Sequence, residues 1–298
     1  MIKRSLFIVS FIFCAQSLIG YNVIFDFNGV LMGTNTKTSL HATGFSNVLQ
    51  CMIHLRKSPT QINAHLKTKF FSILDNIAQT YQLDTQKSQP AYDEHGNPLP
   101  YLMRAWLDGS MTCYEIKKHA FQALAIHPEW FEHAAEKRAI SNLIKTIFTP
   151  KQFVKTRKIY TECLAFMKAC KKQGHNIYAL SNWDKESFVL LQEKYPEVFT
   201  LFDGIIISGE VNALKPSPDI YNILLTRYHL NPTTCWFIDD QQENVTAAST
   251  LGIHGIICHQ KGLSKKPDFR LVVRTIKNIL MTQRHDETCE KTTALIPL

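Results

Sequence analysis

The sequence predicts an α/β fold built on a doubly wound parallel sheet. In the second half of the 298-residue chain, short apolar segments alternate with amphipathic segments of helical periodicity. Strands that alternate with helices favour a parallel sheet with right-handed crossovers. One predicted strand, VIF, precedes Asp26 near the start of the chain. The other predicted strands are NIYALS (176–181), FDGIIISG (202–209), CWFIDD (235–240) and HGIICHQ (254–260).

Polar residues stand where three of these strands end. Asp26 follows the first strand, Ser181 ends the second, and Asp239 and Asp240 end the fourth. Sheets of this kind place ligands at the carboxyl ends of their strands. Two adjacent carboxylates repel each other unless a cation or hydrogen-bond donors compensate, so this pair favours a metal site. Taken singly, an aspartate such as Asp26 is usually the cap of a turn, Ser181 could cap a helix, and a capping role is the alternative for the Asp239/Asp240 pair.

Residues 36–150 predict a helical insertion between the first strand and the rest of the sheet. The segments SPTQ (58–61) and TCYE (112–115) have the spacing of capping boxes, and each precedes a segment with helical apolar spacing. Between these helices, KSQPAYDEHGNPLP is rich in turn residues and predicts a loop. The remaining segments, 18–35 and 151–283, are assigned to the α/β core.

The composition limits the expected partners. The net charge is +8, which favours anionic ligands, but the basic residues are scattered along the chain. No Cys/His set has zinc spacing and no RNA-binding aromatic signature is present, so nucleic acid is not an expected partner. The eight cysteines form no disulfide framework, and most lie in apolar surroundings typical of buried free thiols. The sequence indicates no particular oligomeric state.

Both ends of the chain have patterns of their own. Residues 1–17 have the layout of a secretory signal peptide, with Lys3 and Arg4 before a short apolar run. The run is shorter than the about 20 residues of a membrane-spanning helix, and no stable span is expected after processing. The predicted location is secreted or periplasmic, with a membrane anchor or a cytoplasmic location as alternatives. Residues 284–298 predict a flexible tail.

Four segments, taken in this order, resemble the motifs of the haloacid dehalogenase superfamily, most of whose members are phosphohydrolases. They are VIFDFNGVL (23–31), YALSNWD (178–184), SGEVNALKPSPDIY (208–221) and FIDDQQENVTAASTLGI (237–253). The resemblance implies a Rossmann-like core, and the predicted helical insertion stands where one branch of the family carries its cap domain.

The resemblance also implies a role for each matching residue. Asp26 would be the nucleophile that forms an aspartyl-phosphate. Asp26, Asp240 and the backbone carbonyl of Asn28 would bind Mg²⁺, a hard cation that prefers oxygen ligands. Asp239 would hold a metal-bound water.

Other matching residues would serve the phosphoryl group. Ser181 and Lys215 would bind this group and neutralise the charge that the transition state spreads over its oxygens. Asn182 would bind phosphate with them, and Asn244 would support the surrounding groups.

The sequence departs from the family pattern at Asn28. In most phosphatases of the family this position is an aspartate that protonates the leaving group and then activates water. An amide cannot transfer a proton, and general acid–base help contributes about 10²–10⁴-fold to a rate. A sugar or alcohol phosphate needs that acid, whereas an acyl or aryl phosphate needs it much less.

Three functions are compatible with this pattern. The favoured one is a Mg²⁺-dependent phosphatase that acts on a small phosphorylated compound, either slowly or without an acid. The second is a non-catalytic module that binds a phospho-ligand or a metal. The third is a haloacid dehalogenase, which shares the Ser-Asn second motif, although dehalogenation does not use the metal site that Asp239 and Asp240 preserve.

Overall fold

The structure is a computed structural model that describes residues 20–261, 266–276 and 278. The predicted signal peptide (1–17) and the predicted flexible tail (284–298) lie outside the described residues. Within the described part of the chain, no helix combines the length and the apolarity needed to cross a membrane.

A five-stranded parallel sheet forms the centre of the α/β core, with the order β5-β4-β1-β6-β7. Two short antiparallel pairs, β2 with β3 and β8 with β9, lie outside it. The strands are β1 (Asn22–Phe25), β2 (Met32–Thr34), β3 (Arg157–Ile159), β4 (Asn176–Ser181), β5 (Gly204–Ile207), β6 (Cys235–Asp239), β7 (His254–Ile257), β8 (Gln260–Lys261) and β9 (Lys266–Pro267). The predicted Rossmann-like α/β fold is therefore confirmed.

The chain between β2 and β3 is helical and has a hydrophobic core of its own. Its helices are α1 (Thr36–Thr43), α2 (Phe45–His54), α3 (Pro59–Thr80), α4 (Tyr101–Leu107), α5 (Cys113–Ile126), α6 (Ala134–Ile147) and α7 (Pro150–Lys155), with a 3₁₀ turn at Pro128–Trp130. Both predicted capping boxes are present, at Ser58 with Gln61 and at Thr112 with Glu115. Because β2 pairs with β3, this helical segment leaves and rejoins the core at one place.

The remaining helices cover the sheet on both faces. They are α8 (Thr161–Lys172), α9 (Lys185–Lys194), α10 (Pro196–Phe199), α11 (Ser208–Val211), α12 (Pro218–Arg227) and α13 (Gln242–Thr250), and residues 269–276 are also helical. Val23 and Phe25 of β1 belong to one hydrophobic cluster with Phe166 of α8. Ile24, which points to the opposite face, packs in a second cluster with Tyr221 of α12. Burial on both faces explains why these strands are continuously apolar.

The structure differs from the sequence prediction at the third strand. The sequence predicts a strand over 202–209, whereas β5 ends at Ile207 and Ser208–Val211 is helical. Ser208 is the first residue after the strand, and its hydroxyl accepts a hydrogen bond from the Trp183 backbone N–H (2.9 Å) instead of facing a neighbouring strand. The cysteine prediction is confirmed for the described residues, where all six are buried and none is in a disulfide.

Candidate active site

The polar residues predicted at strand ends converge on the carboxyl edge of the sheet. Asp26 follows β1, and its backbone N–H donates to the Ile238 carbonyl of β6 at 3.0 Å. This bond places Asp26 beside Asp239, the last residue of β6. Ser181 ends β4, the strand on the other side of β1. Parallel pairing of three neighbouring strands therefore brings these residues to one edge.

Lys215 joins the first and last strand-end motifs. Its ammonium Nζ lies 2.8 Å from Asp26 Oδ1 and 2.6 Å from Asp239 Oδ2, and all three side chains are buried. Burial alone would lower the pKa of Lys215, but the charges of Asp239 and Asp26 more than reverse this and raise it. Lys215 therefore stays cationic and binds the two carboxylates together.

The acidic charge of the site exceeds its basic charge. Asp26, Asp239 and Asp240 each offer an oxygen, and these oxygens lie within 4.8 Å of one another. Burial raises the pKa of Asp26 to about 6 despite the opposing charge of Lys215. Burial, together with Asp239 and Asp26, also raises the pKa of Asp240. The cluster thus offers carboxylate oxygens, which are the hard ligands that a divalent cation such as Mg²⁺ prefers.

Asp239 is held by donors on all sides. Besides Lys215, its Oδ1 accepts from the Gln241 backbone N–H at 2.8 Å, and both oxygens accept from Asn244 Nδ2 at 3.1 Å. Asn244 belongs to the first turn of α13 and is buried. A carboxylate so fully bonded orients its neighbours better than it could coordinate a metal directly.

Ser181 and Asn182 have different surroundings. The Ser181 hydroxyl is buried, and no described residue accepts or donates a hydrogen bond of normal geometry with it. It is nevertheless near enough to Asp26 to help lower the pKa of that carboxyl against the effect of burial. Asn182 makes two hydrogen bonds to the backbone of Lys215, one to its carbonyl (2.9 Å) and one from its N–H (2.8 Å). Asn182 therefore fixes the lysine position.

The loop after Asp26 brings a glycine against Asp240. Gly29 has a φ of 85°, and its N–H donates to the Met32 carbonyl at 2.8 Å. The Asp240 carboxylate occupies the space where a side chain at position 29 would stand. Asn28, in the same loop, is exposed. The glycine thus leaves room for the Asp240 carboxylate, and the side chain before it in the loop is an exposed amide.

The helical segment also contacts the segment that carries Lys215. The Gln89 side-chain oxygen accepts from the Leu214 backbone N–H at 2.9 Å. Asn212 Nδ2 donates to the Asp108 carbonyl at 3.0 Å. These contacts connect the position of the helices directly to the lysine of the site.

Two residues at the site were not predicted from the sequence. Gln260 Nε2 donates to Asp240 Oδ2 at 2.7 Å. Arg157 of β3 donates from Nη1 to Asn28 Oδ1 at 3.4 Å. Burial lowers the pKa of Arg157 to about 10, which leaves it charged at neutral pH. Neither residue belongs to a recognisable motif, and KTRK (155–158) is one of several scattered basic groups in the sequence.

The fold defines a Rossmann-like α/β protein that gathers acidic residues and one buried lysine at the carboxyl edge of its sheet. A family model for haloacid dehalogenase-like hydrolases matches residues 22–252 of the chain. The chain therefore belongs to this family of hydrolases, and the resemblance found in its sequence is confirmed.

Curated relatives match this chain over part of their own length. A sesquiterpene phosphatase of Aspergillus oryzae is 32% identical over 92 residues, which cover 31% of this chain and 46% of that protein. A drimenol cyclase of Aspergillus calidoustus is 30% identical over 107 residues, which cover 35% and 20%. Bifunctional epoxide hydrolase 2 of Mus musculus is 32% identical over 119 residues, which cover 39% and 21%. The matched part is thus less than half of each relative.

Solved structures show distant similarity over most of the chain. A HAD family enzyme of Bacteroides thetaiotaomicron, in complex with magnesium and inorganic phosphate, is 17% identical with a TM-score of 0.48; the match covers 83% of this chain and 98% of that one. A HAD-like family hydrolase of Porphyromonas gingivalis is 16% identical with a TM-score of 0.45, and the match covers 80% and 90%.

Proposed function

We propose that this hydrolase is a Mg²⁺-dependent phosphatase that acts on a small phosphorylated compound through an aspartyl-phosphate on Asp26. One observation carries the proposal: Lys215 lies within 3 Å of both Asp26 and Asp239, and Asp240 completes a cluster of three carboxylates. This arrangement joins a nucleophile, a fixed cation and a set of oxygen ligands in one place. Family membership and the partial similarity to a sesquiterpene phosphatase support it.

The metal would bind to Asp26, Asp240 and the backbone carbonyl of Asn28. Bound there, Mg²⁺ supplies positive charge that polarises the phosphoryl oxygens and offsets repulsion between phosphate and carboxylates. Asp239 does not need to coordinate directly, since donors already hold both of its oxygens. It would instead hold Lys215 and a metal-bound water.

The phosphoryl group would be held by side chains around Asp26. The Ser181 hydroxyl lacks a well-placed partner among the described residues, so it is available to donate to a phosphoryl oxygen. Lys215 would neutralise a second oxygen, and Asn182 keeps its backbone in place through the two hydrogen bonds described above. Attack by Asp26 on phosphorus forms the aspartyl-phosphate, and water then hydrolyses it.

Asn28 determines which substrates turn over. The side chain at this position cannot protonate a departing oxygen, so the rate would depend on how stable the leaving group is as an anion. Aryl, acyl and anhydride phosphates meet this requirement, and simple alcohol phosphates do not. Phosphatase activity with poor alcohol leaving groups is therefore expected to be slow.

Hydrolysis of p-nitrophenyl phosphate tests the function. We expect Mg²⁺-dependent release of p-nitrophenol by the wild-type protein and its loss in Asp26→Asn. Asp84→Asn, which makes the same exchange at an exposed residue of the helical segment, serves as the control and should keep full activity. No hydrolysis of any aryl or acyl phosphate by a folded, Mg²⁺-binding protein would instead support a non-catalytic phospho-ligand module.

We also propose that the protein acts outside the cytoplasm, in a secreted or periplasmic form. The support is the signal-peptide pattern of residues 1–17. Mass spectrometry of the protein from its native source tests it, with a mature N-terminus near residue 18 as the expected result. An intact Met1 in all of the material would contradict export with cleavage.

A further inference from the structure

The position of Arg157 points to the part of the substrate that leaves. Asp26, Lys215 and Asp239 are buried. When the phosphoryl group of a substrate reaches Asp26, the rest of the substrate must therefore lie towards solvent. The exposed side chain two residues after Asp26 is Asn28, and Arg157 lies against it with Nη1 3.4 Å from Oδ1. In-line attack expels the leaving group on the side opposite Asp26, which is this outer side.

The Arg157 guanidinium is held by several contacts. Its Nε and Nη2 both donate to the Thr156 hydroxyl, at 3.2 and 3.1 Å. Its central carbon lies 4.4 Å from the centre of the Phe153 ring, a cation–π distance. Its backbone carbonyl accepts from Lys194 Nζ (2.8 Å) and from the Tyr195 hydroxyl (2.9 Å). These contacts fix both the strand and the plane of the charged group.

The same guanidinium has no anionic partner. Among the described residues, no carboxylate lies within ion-pair distance of Arg157, whereas Lys215, the other cation of the site, has two. A guanidinium has five N–H donors in a fork that matches two oxygens of a phosphate or a carboxylate. Thr156 takes two of these donors and Asn28 takes a third at long distance. Two donors therefore remain for a ligand.

Resting on the phosphatase function proposed above, we infer that Arg157 binds an anionic oxyacid leaving group. The substrate would then be a phosphoric anhydride, either the end of a diphosphate or an acyl phosphate, rather than the ester of a neutral alcohol. Such a substrate suits a site with Asn28, which cannot donate a proton, because an oxyacid anion departs without one. Carboxyl groups have a pKa of about 4, and a phosphate monoester has a second pKa of about 6.

The chemical step balances without a proton donor. A bond forms between an Asp26 carboxylate oxygen and the terminal phosphorus, and the bond from phosphorus to the bridging oxygen breaks. The electron pair stays on the bridging oxygen, which leaves as a phosphate or carboxylate anion paired with Arg157. Water then attacks the phosphoryl group on Asp26, which restores the carboxylate and releases phosphate, while the protons of the water pass to phosphate and solvent.

Kinetics with three substrates test the inference. Inorganic diphosphate and acetyl phosphate carry oxyacid leaving groups, whereas p-nitrophenyl phosphate carries an aryl oxide. We expect Arg157→Gln to lower kcat/KM by about 10- to 100-fold for the first two and by less than about threefold for the third, since an oxyacid offers two oxygens to the guanidinium fork whereas an aryl oxide offers one. Arg157→Lys keeps the charge but not the fork, so its kcat/KM for the oxyacid substrates should lie between those of the wild-type protein and Arg157→Gln. Lys158→Gln is the control: it removes the same charge from the next residue of the strand, where side chains alternate between faces. It should change none of the three kcat/KM values.

A binding measurement separates this inference from the phosphatase proposal. In an Asp26→Asn background with excess Mg²⁺, adding Arg157→Gln should weaken binding of inorganic diphosphate about 10-fold or more and leave binding of orthophosphate unchanged. That result would support the role of Arg157 even if the wild-type protein hydrolysed nothing. If Arg157→Gln had the same effect on all three substrates and on both ligands, or no effect, the inference would be overturned. The phosphatase proposal would still hold if the wild-type protein hydrolysed p-nitrophenyl phosphate. Whichever of diphosphate and acetyl phosphate is hydrolysed faster shows whether the leaving group is a phosphate or a carboxylate.

Discussion

The backbone of Gly29 lies directly against the carboxylate of Asp240, with no space between them for a β-carbon. The Gly29→Ala variant should therefore displace the Asp240 carboxylate and weaken Mg²⁺ binding at least about 10-fold. Position 29 also has a φ of 85°, which costs a non-glycine residue about 1–2 kcal/mol. Isothermal titration of Mg²⁺ measures the first effect and urea unfolding measures the second.

Gly174→Ala is the matched control for that change. Gly174 has a similar φ of 80°, but no atom lies within 4 Å of the position of an added β-carbon. It should lose stability by a similar backbone cost and keep wild-type Mg²⁺ affinity. Equal Mg²⁺ affinity in both variants would show that contact with Gly29 does not position Asp240.

Replacing Lys215 with Met should destabilise the metal-free protein. The change leaves Asp26 and Asp239 buried without their cation, a loss of about 3–5 kcal/mol when one partner of a buried ion pair is removed. Mg²⁺ should restore part of this loss because it supplies positive charge to the same carboxylates. Urea unfolding with and without Mg²⁺ measures both effects.

Lys171→Met provides the comparison for the buried lysine. Lys171 pairs with Asp203 at 2.6 Å, but both side chains are about one-third exposed, so the loss should be below about 1 kcal/mol. If the two lysine variants lost the same stability, Lys215 would not be the compensating charge of the site.

Mg²⁺ affinity should rise with pH through about 6. Burial raises the pKa of Asp26 to about 6, above the value near 4 of an unfolded chain. Between these values the folded, metal-free protein retains a proton that the unfolded chain has lost, so this residue's contribution to metal-free stability falls as pH rises. Mg²⁺ must displace that proton, so its affinity should be about tenfold lower at pH 5 than at pH 7.

Thermal unfolding measures this dependence. The rise in Tm produced by Mg²⁺ should be larger at pH 7.5 than at pH 5.5. An equal rise at the two pH values would mean that Asp26 does not release a proton when the metal binds.

Restoring an acid at position 28 should be less effective than the family pattern suggests. In Asn28→Asp the new carboxylate would face Arg157, whose guanidinium would keep its pKa low and make it a poor proton donor. We expect the double variant Asn28→Asp/Arg157→Gln to hydrolyse an alcohol phosphate such as glycerol phosphate faster than Asn28→Asp alone. Phosphate release at pH 6 measures the difference, and equal rates in the two variants would contradict an interaction between positions 28 and 157.

The sequence predicts the sheet better than it predicts the site. The predicted strand over 176–181 matches β4 because buried parallel strands are short, apolar and bounded by turn residues. The capping boxes at Ser58 and Thr112 are equally local signals, carried by residues three apart. Each depends on neighbouring residues alone.

The missed features depend on distant residues. Strands β2 and β3 have three residues each and pair across the whole helical segment, so neither shows a period of its own. Arg157 meets Asn28 from 129 positions away, and Gln260 meets Asp240 from 20. Only the pairing of strands in space places these side chains together.

Arg157 belongs to the strand that anchors the helices, and not to the helices themselves. An exchange of residues 36–149 would therefore keep Phe153, Thr156 and Arg157, and with them the proposed contact to the charged end of a substrate. The exchanged helices would change what the uncharged remainder of that substrate meets, and would also replace the contacts of Gln89 and Asp108 beside Lys215. With the proposed role of Arg157, the contact to substrate charge and the contact to substrate shape would lie in different parts of the chain.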